Sequence, residues 1–168
     1  VRANTTVVSS MLLQRGDADA MLCGTFGTYG KHLRLVEEII GRDGASPVVG
    51  ALTVLILSQG TIFLTDTHVN LDPTAEQLCE LAKLAADEIR WFGIQPKAAF
   101  LSHSNFGSSN TTSAKKVRQA ATMFMERYPD IEADGEMHAD AALEEKVRLD
   151  LLPLSLIHIS EPTRHTRI

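Results

Sequence analysis

Short apolar runs alternate with longer stretches of helical periodicity along most of this chain, and that alternation restricts the fold more than any other feature. Asn4, a good helix cap, precedes Val7, Val8, Met11 and Leu12 at helical spacing, and Gly16 stops the run. Ala20-Met21-Leu22-Cys23 predicts a short buried strand ending at Gly24, and Leu33, Val36, Ile39 and Ile40 mark one face of the helix that follows, which Gly41-Arg42-Asp43-Gly44 closes. Val48–Leu57 and Thr61–Leu64, separated by Ser58-Gln59-Gly60, predict a hairpin. Asp72-Pro73-Thr74 predicts a helix start, with Leu78, Leu81, Leu84, Ala85 and Ile89 as the apolar stripe and Gly93 as the stop. Lys97–Leu101 reads as a strand, Val117, Ala121, Phe124 and Met125 as a helix, Ile131–Ala133 as a last strand, and Asp140 as the opening of a short helix. This order predicts an α/β fold, a three-layer sandwich with a mostly parallel sheet, interrupted by the antiparallel Val48–Leu64 pair.

Composition narrows the partners. The 168 residues carry 21 acidic and 16 basic side chains, a formal charge of −5, so no basic excess exists to neutralise a nucleic-acid backbone. Val48–Leu57, the longest apolar run, is too short to span a bilayer, so no membrane partner is expected. Cys23 and Cys79 stand alone and far apart, which fits a reducing, cytoplasmic setting.

In open α/β sheets, ligands gather beyond the carboxyl ends of the strands. Four segments follow strand-like runs and are expected along one such edge: Gly24–Gly30, Asp66–Asn70, Ser102–Gly107 and Glu136–Asp140. The glycines of the first, ahead of a helix, suit an anion cradle or a plain strand–helix turn, and they match neither the P-loop nor the dinucleotide fingerprint. Arg34, one turn into that helix, is either a fixed positive charge for the cradle or a solvated arginine. Ser102-His103-Ser104-Asn105 with Gly107 is dense in donors and suits an anion held by hydroxyls and amides. A serine nucleophile lacks its elbow motif here. His68, His103 and His138 with Asp66 and Asp140 have the ligand types for zinc or manganese, without the close spacing of a known metal motif.

Five strings in order, Arg2–Thr6, Gly16–Ala20, Asn70–Thr74, Pro96–Ser104 and Gly135–Leu143, together resemble the phosphate acetyl/butyryl transferase family, over Arg2 to about Pro153. The family has two branches: free-standing enzymes that move acetyl between acetyl phosphate and coenzyme A, and the C-terminal module of bacterial NADP-dependent malic enzymes. His103 in Ser102–Gly107, the Met137-His138 pair and Gly24-Thr25-Phe26-Gly27 with His32-Leu33 resemble the second branch. The resemblance implies two α/β subdomains with a ligand cleft between them, residues 1–44 ending the first and 45–153 forming part of the second. It implies acetyl-CoA or an acyl phosphate as ligand, with Arg34, Ser102, Ser104, Asn105 and Gly107 as candidates for the cleft. It also implies a homo-oligomer, with NADP and Mg or Mn needed only in a part of the parent protein outside these residues. The alternative is a piece of a phosphate acetyltransferase. No catalytic residue transfers in either case, because the serine–arginine pair and aspartate that transferases use have no counterpart here.

Residues 154–168 show no cap, stripe or turn logic and resemble translated adaptor sequence, so the chain is expected to be a fragment with a non-native tail. A truncated sheet exposes strand edges and apolar faces. The 168-residue chain alone is therefore expected to be marginally stable or aggregation-prone. A sharp cooperative melt of purified monomer in scanning calorimetry would contradict this.

Overall fold

The computed structural model describes residues 4–42, 46–58 and 60–151. The candidate non-native tail, Asp43-Gly44 and Gln59 of the hairpin turn lie outside the described residues. The chain divides into two compact units, Val1–Pro47 and Val48–Ile168.

The first unit is a helix pair held by polar contacts. Helix α1 (Thr5–Gln14) starts where Asn4 is predicted to cap it, and the Asn4 side chain accepts from the Thr6 amide at 3.1 Å. Its buried residues are Thr6 and Ser10, while Val8, Met11 and Leu12 are exposed. The Thr6 hydroxyl meets His32 Nδ1 of helix α2 (Tyr29–Ile39) at 2.8 Å, and Ser10 donates to the Met21 sulfur at 3.6 Å. The strand predicted at Ala20–Cys23 is not formed: these residues have no ladder partner among the described residues, and Leu22 and Cys23 are exposed. An isolated apolar tetrapeptide cannot satisfy its backbone as a strand.

In the second unit, strands β1 (Thr53–Leu57) and β2 (Gly60–Leu64) pair antiparallel, Thr53 opposite Leu64. Helix α3 (Ala75–Trp91) opens on a reciprocal cap in which the Thr74 hydroxyl accepts from the Gln77 amide and the Gln77 side chain accepts from the Thr74 amide. Strand β3 (Lys97–Leu101), helix α4 (Thr112–Arg127) and strand β4 (Glu132–Met137) form a βαβ unit, with β3 and β4 parallel. Short helices α5 (Ala139–Leu143) and α6 (Glu145–Leu151) follow.

Period-two alternation divides the environment of β3. Ala98 and Phe100 pack with Cys79 of α3, Ala120, Ala121 and Phe124 of α4, and Ile131 just before β4, whereas Ala99 packs with Met137, Ala141 and Ala142. The Phe124 ring meets Phe100 at 5.4 Å and Tyr128 at 5.2 Å between centroids.

The architecture is mixed α/β, but the predicted mostly parallel sheet is not what the described strands form. They make two separate two-stranded sheets, of which one is parallel. The antiparallel hairpin stands as a sheet of its own, with Val54, Leu55, Ile56 and Leu57 exposed and Phe63 packed on Phe92 at 5.8 Å.

Phe124 is fully buried between two aromatic neighbours. Truncation to alanine removes both contacts and leaves a cavity. Phe124→Ala is expected to cost about 3–5 kcal/mol, read from the urea midpoint.

Candidate functional site

The site is built on an irregularity in the β3–β4 ladder. Phe100 lies opposite Gly135, yet Leu101 lies opposite Met137, so Glu136 is an extra residue in β4. Such a bulge re-aims a side chain out of the regular pleat. Gly135 precedes it at φ +134°, and a Cβ there would come within 2.7 Å of the Phe100 carbonyl oxygen. Only glycine fits both conditions.

The side chain of Glu136 is fully buried and meets four donors. Oε1 accepts from the Ser104 hydroxyl at 2.8 Å, the Gly107 amide at 2.9 Å and Arg118 Nη2 at 2.9 Å, while Oε2 accepts from Arg118 Nε at 2.8 Å. Burial pushes the carboxyl pKa up, but Arg118, the Gly107 amide and the Ser104 hydroxyl outweigh it and hold the pKa down at about 2. Arg118, on α4, also donates from Nη2 to the Ser109 carbonyl at 3.0 Å. The pair therefore ties helix, strand and loop together.

The loop after β3 closes around this carboxylate. Phe106, at the positive φ of 45°, gives its amide to the Glu136 carbonyl at 2.8 Å, and Gly107 follows at φ 91°. The Ser104 hydroxyl accepts from the Ser109 amide, the Ser102 hydroxyl accepts from the Ser104 amide, and the Ser108 hydroxyl accepts from the Asn105 amide. Ser102, Ser108 and Thr111 also give their amides to partners, Met137, Asn105 and Ser109 in turn. Among the described residues, the loop amides left without a hydrogen bond are those of His103 and Asn110. The sequence suggests an anion cradle of hydroxyls and amides. In the structure most of those donors hold the loop itself.

The predicted candidates thus fall in different settings. Ser104 is fully buried and bonded to Glu136. Gly107 is exposed but spends its amide on the same carboxylate. Ser102 is half-buried, and Asn105, half-buried too, accepts the His138 amide on Oδ1 at 2.6 Å, joining the loop to the start of α5. Arg34 is an exposed residue of α2 with no ion pair among the described residues. In the first unit, His32 Nε2 donates to the Phe26 carbonyl at 2.8 Å, so the Gly24–Gly30 segment is clasped to the helix that follows it.

Of the four segments expected at one edge, Ser102–Gly107 and Glu136–Asp140 are brought together. Asp66–Asn70 closes on Val49–Ala51 instead. Asp66 accepts from the Ala51 amide at 2.9 Å and from the Asn70 amide and side chain at 2.6 Å, and Asn70 donates to the Val49 carbonyl at 2.8 Å. Burial raises the Asp66 pKa, yet those donors together bring it down to about 2. The histidines are engaged locally, His68 with Thr67 and His103 with Thr111. Among the described residues, no three His, Cys, Asp or Glu side chains come together as a metal site. No helix among them is long and apolar enough to cross a membrane.

Sequence reasoning missed Glu136 and Arg118 as a pair. The one available signal was a glutamate directly after glycine, between the small residues of β4 and the apolar Met137.

The family model for phosphate acetyl/butaryl transferase matches residues 1–160. The chain is 52% identical over 151 residues to an NADP-dependent malic enzyme of Salmonella typhimurium, covering 89% of this chain and 20% of that protein. It is 34% identical over 152 residues to a phosphate acetyltransferase of Haemophilus influenzae, covering 90% of this chain and 21% of that protein. Among solved structures, the EutD phosphotransacetylase from Staphylococcus aureus superposes with a TM-score of 0.80 at 25% identity, over 92% of this chain and 48% of that one. The chain spans about a fifth of the length of the curated relatives it matches.

The depressed carboxylates set an acid limit. Glu136 and Asp66 titrate near 2 in the folded chain, below their ordinary values of 4.5 and 3.8, so the unfolded chain binds protons first as pH falls. Their stabilisation is full above the ordinary values and is lost as pH drops toward 2. The urea midpoint is expected to hold from pH 6 to about pH 5 and to decline below that toward pH 2; a midpoint unchanged between pH 5 and pH 3 would contradict it.

Proposed function

The chain belongs to the phosphate acetyl/butaryl transferase family, and from that premise we propose that it is the acetyl-CoA-sensing module of an NADP-dependent malic enzyme. The observation that carries this reading is the difference in similarity: 52% identity to the malic enzyme against 34% to the phosphate acetyltransferase, over nearly the same length. On this reading, malate oxidation and decarboxylation belong to residues outside this chain, together with NADP and the Mg or Mn ion. The residues here do not fit those groups. They offer neither a three-ligand metal cluster among the described residues nor the dinucleotide glycine spacing, and no step through either is assigned to them.

On this reading the module has the two-subdomain, three-layer α/β architecture of the family, and acetyl-CoA is its ligand. Arg34 supplies positive charge for the coenzyme's phosphates. The Ser102–Gly107 loop, whose amides other than that of His103 are engaged, meets the ligand through side chains such as Ser102 and Asn105. A homo-oligomeric, cytoplasmic enzyme transmits the signal: acetyl-CoA favours one arrangement of the subdomains through differential affinity and so biases the distant malate site.

The second reading is a portion of a phosphate acetyltransferase that moves acetyl between acetyl phosphate and coenzyme A. The TM-score of 0.80 to a phosphotransacetylase favours it. One preparation of the intact parent protein separates the two. The regulatory reading expects malate-dependent NADP reduction that changes at least several-fold across an acetyl-CoA titration, and no transfer from acetyl phosphate to coenzyme A. Malic activity indifferent to acetyl-CoA would sink it, and acetyl transfer would establish the second reading.

A further inference from the structure

Resting on the reading of the serine loop as part of the acetyl-CoA site, we infer that Glu136 and Arg118 are its positioning residues, holding the loop in binding shape before any ligand arrives. Neither needs to touch the ligand. Glu136 is fully buried, and the bulge that turns it toward the loop is possible because Gly135 has no side chain to meet Phe100.

Three observations carry the inference. The carboxylate draws donors from the loop and from α4 onto two oxygens, so loop and helix cannot move independently without leaving a buried charge short of partners. Phe106 is held at positive φ, a conformation costly for a bulky residue, by its own amide on the Glu136 carbonyl and the next amide on the Glu136 side chain. Asn105, one residue earlier, takes the amide of His138, two residues after Glu136, so its side-chain direction is fixed by the residue that follows β4. Because most of the loop amides are spent internally, ligand contact falls mainly to side chains, which the clamp helps to position. Pre-ordering of this kind lowers the cost of binding.

Glu136→Gln keeps the volume and one acceptor but faces the guanidinium with an amide. In the intact protein, it is expected to weaken acetyl-CoA binding at least tenfold by calorimetry. It is also expected to speed amide exchange in residues 102–109 at least tenfold, with exchange in α3 unchanged. Arg118→Lys, which keeps the charge without the fork, should recover part of the affinity that Arg118→Met loses. That graded rescue separates positioning from a general loss of stability, and the Arg118 pair decides the matter if Glu136→Gln does not fold. Wild-type affinity in Glu136→Gln, or equal affinities in the two Arg118 variants, overturns the inference. If the wild-type protein does not bind acetyl-CoA, the sensing reading falls, and loop exchange in these variants still decides whether the pair holds the loop.

Discussion

A carboxylate removed from water must be met by donors, and Glu136 is met by four. Much of the local architecture follows from that requirement. The bulge in β4, the glycine before it, the left-handed turn at Phe106 and Gly107, and the inward set of Ser104 are the geometry needed to bring those donors within hydrogen-bond distance. Arg118 matters most, since it offers two nitrogens in a fixed fork to both oxygens. Only the glutamate of the pair is fully buried, the Arg118 side chain being 36% exposed, so loss of the arginine leaves a buried carboxylate short of two of its donors.

Polar clasps recur through the chain. Asp66 gathers amides to close the segment after the hairpin, and Thr6 and Ser10, not the apolar residues of α1, are buried in the first unit. His32 bridges Thr6 and the Phe26 carbonyl; the carbonyl can only accept, so Nε2 carries the proton and Nδ1 of the neutral ring accepts from the threonine. These bonds set loop shapes that hydrophobic burial alone would leave loose. Among the described residues, the larger apolar cluster lies around Phe100, Phe124 and Ile131, with a smaller one at Met137.

The helices were readable because their signals are local. Asn4 and Thr74 cap where their side chains can bond the first free amides, and Gly93 follows the end of α3 at φ +72°. Strands were readable only where partners exist. Lys97–Leu101 forms as predicted because β4 lies beside it, whereas Ala20–Cys23, with a similar apolar run, has no partner strand among the described residues and forms no strand, with Leu22 and Cys23 exposed. The serine loop was recognisable by its donors, but what those donors bind was not, because Glu136 lies 32 positions from Ser104.

The sequence by itself determined the capped starts of α1 and α3, the alternation that makes the chain α/β, and, through motifs in order along the chain, the family. Periodicity, capping and motif order act over a few residues or in linear succession, so they survive in one dimension. Tertiary structure decided which strands pair and where each buried charge finds its counter-charge. It also decided that most of the serine loop's amides are spent on the protein itself. Those outcomes depend on distances between residues far apart in the chain, and such distances exist only once the chain has folded.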